Sequence, residues 1–287
     1  MKFFAMVWVT ILLLSSVKSH DQAEPASGKE GFAPVASGGT LHPRFDFTEK
    51  SFRDFAETYL EPDYRPKALR FKAEFLTLLA AVLQQERTNP ALSLFVGKQH
   101  PLPQNYVPND LVALRQYSEL NLGRDSLQLR KLLIPDLLKM NAAAQADNVV
   151  LWIGSGYRSF TRQGDIFRRY AQRDGAERAN RYSARAGESE HQLGLTIDFL
   201  PISQSFAHTA AGRWLSQHAL EFGFSLSYPK NQEPLSGYIY EPWHYRYVGT
   251  PVVALISQYF DTFQQKFYVF WQSAAPELRR YHSESRP

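Results

Sequence analysis

The stretch SEHQLGLTIDF, residues 189–199, constrains this chain more than any other. Gly194 separates a histidine-bearing turn from LTIDF, which has the alternation of a strand. Strand side chains alternate between faces. Leu195, Ile197 and Phe199 therefore share one face, and Thr196 and Asp198 the other. The apolar trio anchors the strand in a core. Asp198 projects the other way, towards whatever His191 faces across the Gly194 turn. An imidazole and a carboxylate held like this suit a small divalent cation.

The chain has no cysteine. Disulfides and thiolate metal sites are excluded, so any transition-metal site must draw on His, Asp and Glu. Stability must come from the core, which 287 residues are enough to build. A hydrophobic content of 44% and a charged content of 21% fit a globular protein. The net charge of +4, with no block of basic residues, argues against a nucleic-acid partner.

Lys2, the apolar run at 3–14 and the small polar residues up to Ser19 predict a secretory signal peptide over 1–19. A helix over that run would reach about 18 Å, short of a hydrocarbon core of about 30 Å. No later stretch is long enough to span a membrane. The expected protein is exported to the periplasm or cell envelope, with no integral span once the signal is removed.

Residues 20–47 read as a flexible leader, rich in Ser, Gly, Ala and Pro at their start. A helical extension follows over 48–105. Its apolar spacing at 48–87 predicts two helices parted by Pro62 and Pro66, ahead of a proline-rich loop at 88–108. Helix and strand then mix over 106–250. Residues 126–146 predict a helix bent at Pro135. VVLWI, FSLSY and IYEPWHYRYVG predict strands, and 161–181 and 209–222 predict helices. Residues 251–287 form a carboxy-terminal helix and tail, with the aromatics of 259–271 packing on the body. The predicted class is α+β, a small mostly antiparallel sheet flanked by helices, with additional amino-terminal helices.

EPWHYRYVG, residues 241–249, sets Glu241 three positions before His244. A straight strand would point them to opposite faces, so a bend or a strand end is expected near Pro242. His191, Asp198 and His244 then supply two nitrogens and one oxygen. That set leaves a fourth tetrahedral position for water, as catalytic zinc sites do. Glu241 would be the base beside that water, an arrangement suited to amide hydrolysis.

These motifs, S-x-H-x-x-G, the following Asp and E-P-W-H, resemble the D-alanyl-D-alanine carboxypeptidases of the vancomycin-resistance type. That group is related to lysostaphin-like peptidases and to the hedgehog amino-terminal domain. YVPNDL at 106–111, SGYRS at 155–159 and Gln163 extend the resemblance, which covers about 106–249. It implies one Zn2+ on His191, Asp198 and His244, with Glu241 as catalytic base. It implies Arg158 at the scissile carbonyl or the substrate carboxylate, and Gln163, Ser189 and Trp243 as substrate-binding residues. The implied activity is removal of carboxy-terminal D-alanine from peptidoglycan stem peptides, by a D,D cut first. An L,D-carboxypeptidase, a peptidoglycan endopeptidase and a non-catalytic cell-wall binding protein are the alternatives. Thr196 and Ala186-Gly187 depart from the family's usual Ala and Pro-Gly, at the pocket rim rather than at a ligand.

Overall fold

Thr48 opens α1 (Glu49–Tyr59) with a reciprocal cap. Its hydroxyl accepts from the Ser51 backbone N–H, and the Ser51 hydroxyl accepts from the Thr48 N–H. Two further helices follow, α2 (Arg65–Arg70) and α3 (Lys72–Thr88), where the spacing predicted one. The break lies at Phe71, whose backbone leaves the helical region at φ −113° and ψ 42°. The computed structural model describes residues 40–283; the expected signal peptide and residues 20–39 of the expected leader lie outside the described residues.

Strands β1 (Leu111–Ala113), β2 (Asn121–Leu122) and β3 (Gln128–Arg130) precede α4 (Ile134–Ala146). The helix expected from 126 starts eight residues later. Leu127 and Leu129 are buried while Gln128 is exposed, a strand's period, and β3 pairs antiparallel with β1. Pro135 makes no bend. It sits in the first turn of α4, where its missing N–H would have had no partner.

The remaining elements are β4 (Trp152–Ser155), α5 (Phe160–Asp174), α6 (Ala176–Ala179), β5 (Thr196–Phe199), α7 (Ala210–His218), β6 (Phe224–Leu226), α8 (Glu233–Ser236), β7 (His244–Tyr247), α9 (Thr250–Tyr259) and α10 (Gln264–Tyr281). Five strands form one sheet in the order β2-β4-β5-β7-β6. Only β2 and β4 run parallel, so the sheet is mostly antiparallel and the class is α+β. One face carries Ile153, Ile197, Phe199, Phe224, Tyr245 and Tyr247 into a core shared with Leu137 and Met140 of α4 and Leu215 of α7. The opposite face presents Asp198, His244 and Arg246. It is buried as well, because every residue of β5 and β7 is buried.

A second core joins α1, α3, α9 and α10 through Phe52, Phe55, Phe75, Leu79, Ile256, Phe267 and Trp271. Phe45 and Phe47 are fully buried within it, and Phe47 stacks on Tyr281 with ring centroids 4.0 Å apart. Residues 40–47, expected in the leader, are thus part of the body. The 48–87 helices and the carboxy-terminal helices share this core rather than forming separate attachments. The single carboxy-terminal helix expected after 251 is two helices, because Asp261 and Thr262 adopt positive φ between α9 and α10. Most of the aromatic stripe at 259–271 is packed in the shared core, as expected. Among the described residues no helix is long and apolar enough to cross a membrane.

Candidate metal centre

Ser189 begins the turn that carries His191. Its hydroxyl accepts from the His191 backbone N–H, and one 3-10 turn, Glu190–Leu193, leads to Gly194. Gly194 has φ 69°, and a Cβ there would stand 3.0 Å from Arg130 Cγ and Leu111 Cδ2. Only glycine meets both demands, and the reversal it makes delivers the chain into β5. Antiparallel pairing then sets Asp198 opposite His244. The bend expected at Pro242 is present. β7 begins at His244, and the His244 N–H closes a turn onto the Glu241 carbonyl at 3.1 Å. Glu241 leaves the strand direction and reaches the same pocket as His244.

His191 Nε2 lies 3.0 Å from Asp198 Oδ2, and His244 Nδ1 lies 3.2 Å from Asp198 Oδ1. One ligand atom from each of the three falls within 4.8 Å of the others, so this trio could hold a metal ion. The other ring nitrogens are committed. His191 Nδ1 is 2.7 Å from the Gly156 carbonyl, and His244 Nε2 is 3.2 Å from Glu190 Oε2. Each outer nitrogen donates outward, which aims the other ring nitrogen at Asp198, the orientation that metal-ligating histidines take. Gly156 is required there, since a Cβ would stand 2.5 Å from the Gln128 carbonyl. Asp198 Oδ1 is buried and accepts no hydrogen bond despite its closeness to His244 Nδ1. A cation between them would satisfy it, so the residues fit a small divalent ion.

The electrostatics agree. Burial, aided by Arg158, pulls the His191 imidazole down to about 4, keeping it neutral and ready to ligate. Burial opposes the charge on Asp198, but His191 and His244 outweigh it and hold the carboxyl well below its ordinary range. Burial opposes a charged His244 too, yet Asp198, Glu190 and Glu241 together raise it well above the usual imidazole value. Three buried carboxylates thus hold positive charge at this point, which a dication supplies directly. Glu241, whose Oε2 is 3.4 Å from His244 Nδ1, is pushed up by burial, as befits a carboxylate that takes and returns a proton.

Arg158 follows β4 and is tied to the histidine turn by its N–H to the His191 carbonyl, 3.1 Å. Its guanidinium donates to Gln163 Oε1 at 2.7 Å, Ser155 Oγ at 3.1 Å and Asp198 Oδ2 at 3.3 Å. Gln163 lines the same pocket; its oxygen receives Arg158 and its amide nitrogen donates to the Ala184 carbonyl, which anchors it beside the arginine. Ser189 caps the turn and also lines the pocket, as does Trp243. The pocket encloses about 600 Å³ and brings all the expected site residues together.

Four residues escaped the sequence reading. Glu190 accepts from Ser227 Oγ at 2.6 Å, Arg246 at 3.1 Å and Gln264 Nε2 at 2.9 Å, besides meeting His244. Arg246 is fully buried and reaches on to the carbonyls of Ala91 and Leu94. Burial opposes the charge on Glu190, but Arg246 and His244 bring its carboxyl down to about 2. Strand parity held the signal for one of them: Arg246 is two residues from His244 and shares its face. Nothing local marks Gln264, which arrives from α10.

One carboxylate between two inward-facing imidazoles, with a buried glutamate beside them, is a donor set that could hold a small divalent ion. The model of the VanY D-alanyl-D-alanine carboxypeptidase family matches residues 126–250. YodJ of Bacillus subtilis (strain 168) is 36% identical over 178 residues, 60% of this chain and 65% of that protein. The chain thus spans just under two thirds of YodJ's length. The solved structure of the LdcB LD-carboxypeptidase is 35% identical with a TM-score of 0.56, covering 63% of this chain and 86% of that one. A vancomycin resistance D,D-pentapeptidase VanY, solved with Zn(II), is 28% identical with a TM-score of 0.52, covering 62% and 99%. The chain belongs to the VanY D-alanyl-D-alanine carboxypeptidase family.

Proposed function

We propose that this protein is an exported, zinc-dependent carboxypeptidase that releases carboxy-terminal D-alanine from peptidoglycan stem peptides in the cell envelope. The observation that carries this reading is the convergence of His191 Nε2, Asp198 and His244 Nδ1, with Glu241 3.4 Å from the last. Family membership and the Zn(II) complex of the VanY structure support it.

His191, Asp198 and His244 would hold one Zn2+, which supplies Lewis acidity to a carbonyl oxygen and to water. Glu241 takes a proton from the attacking water as the C–O bond forms. It hands that proton to the amine nitrogen as the C–N bond breaks, which balances the hydrolysis. Arg158, fixed by Gln163 and Ser155, presents its fork to the substrate's terminal carboxylate or the developing oxyanion. Ser189 and Trp243 border the same space.

The D,D cut is taken first. The L,D cut is favoured by a specific likeness, the match to the LdcB LD-carboxypeptidase at 35% identity. Purified protein with zinc, incubated with synthetic pentapeptide and tetrapeptide stems and read by mass spectrometry, tests both. The expected result is loss of one D-alanine from the pentapeptide only. Trimming of the tetrapeptide alone would install the L,D reading. Release from neither would remove the carboxypeptidase.

A further inference from the structure

The pocket carries more positive charge than the reaction uses. Its lining includes Arg124, Arg158, Arg162, Arg169 and Arg173, against two carboxylates, Asp198 and Glu241. Both carboxylates border the metal position, where a dication offsets them. Arg158 serves the terminal carboxylate or the developing oxyanion in the carboxypeptidase reading. The other four arginines remain.

They differ in how they are held. Arg173 is bound to Asp174, and Arg168, a neighbour on α5 outside the pocket lining, pairs with Asp165. The side chains of Arg124, Arg162 and Arg169 have no hydrogen-bond or ion-pair partner among the described residues. Arg162, Ile166, Arg169 and Arg173 fall at positions i, i+4, i+7 and i+11 of α5, one helical face, and all four line the pocket. Arg124 joins them from the segment after β2 and is near enough to act on the charge of Arg158. A solvated helix face would scatter its cations. Here the unpaired ones gather at the mouth of the cleft that holds the metal ligands.

Resting on the carboxypeptidase reading, we infer that Arg124, Arg162 and Arg169 form an anion subsite for free carboxylates on the residues preceding the released D-alanine. The substrate class is a polyanionic stem peptide, as opposed to one whose upstream carboxylates are amidated. A guanidinium discriminates here because it pairs with a carboxylate through two charge-assisted bonds and gains far less from an amide.

Two synthetic stems of identical sequence and the same terminal D-alanine, one with free upstream carboxylates and one with those groups amidated, make the test. Zinc-loaded wild type is expected to favour the free acid by about tenfold in kcat/KM, mostly through KM, as a few exposed charge contacts acting together would provide. The preference should shrink with added salt and approach unity in Arg162→Gln/Arg169→Gln, which still cleaves the amidated stem. Equal use of the two stems by wild type, or an undiminished preference in the double variant, would overturn the inference. The same peptides are also titrated calorimetrically against zinc-loaded Glu241→Ala. Preferential binding of the free acid without any turnover in wild type would sink the carboxypeptidase reading and leave the subsite standing. Equal binding would sink the subsite alone.

Discussion

The two cores of this molecule are built from different materials. The helical core, made by α1, α3, α9 and α10, is filled by aromatic rings such as Phe45, Phe47, Phe52, Phe75, Phe267 and Trp271. The sheet core is mainly aliphatic on one side. On its other side it carries Glu190, Asp198 and Glu241, the buried carboxylates among the described residues. One half is held by dispersion and area, the other by paired charge. They meet at Arg246, whose guanidinium bonds Glu190, lies 4.6 Å from the Tyr268 ring centroid and donates to Ala91 and Leu94. Gln264 of α10 completes the contact by donating to Glu190. The helical half, which lies largely outside the family match, thus reaches the outer nitrogen of His244 through two residues.

Breaking that junction separates packing from positioning. Arg246→Met leaves Glu190 buried beside His244 without its counter-charge. A loss of about 3–5 kcal/mol of stability is expected by urea unfolding. Zinc affinity, measured by competition with a chromophoric chelator, should weaken by about 10–100-fold, the usual cost of losing a group that orients a ligand. Unchanged affinity in the folded variant would show that the junction is structural only. Gln264→Ala removes one neutral donor and should cost about 1–2 kcal/mol, with zinc affinity down by a smaller factor than in Arg246→Met. An equal or larger factor would reverse the proposed order of importance.

Asp261 offers the smallest and most local test, on the helical side alone. It accepts from Tyr64 Oη at 2.6 Å and pairs with Lys266 at 2.8 Å. The Lys266 and Tyr64 hydrogen bonds lower its carboxyl from the ordinary value. Its stabilisation is therefore present above the unfolded carboxylate range and lost as pH falls through the lowered folded value. Asp261 is largely exposed, so Asp261→Asn should shift the melting temperature only slightly at pH 7. The difference should vanish in acid, and zinc affinity should stay unchanged. A gap that persists at low pH would contradict the sign of this effect.

Sequence and structure agree best where chemistry forces a local pattern. The apolar alternation around Asp198, the turn at Gly194 and the strand end near Pro242 were all legible, because each residue's neighbours determine its direction. Two of the helix assignments that differ share one cause, local ambiguity. SLQLR carries period-two burial inside a helix-like stretch, and only pairing with β1 resolves it. The break at Asp261 and Thr262 has no glycine or proline to announce it, and long-range bonds to Tyr64 hold it. The leader was misjudged at 40–47 because Phe45 and Phe47 find their partners at the far end of the chain. Glu190 was invisible for a related reason. Its meaning depends on Gln264 and Arg246, residues 74 and 56 positions away.

Metal content tests the central claim most directly. Native protein and a His244→Ala variant, both checked for fold by circular dichroism, are dialysed against zinc and analysed for bound metal. One zinc per native chain and almost none in the variant is the predicted result. A metal-free native chain, or a folded variant that keeps its full complement, would contradict the convergence of His191, Asp198 and His244 on one ion.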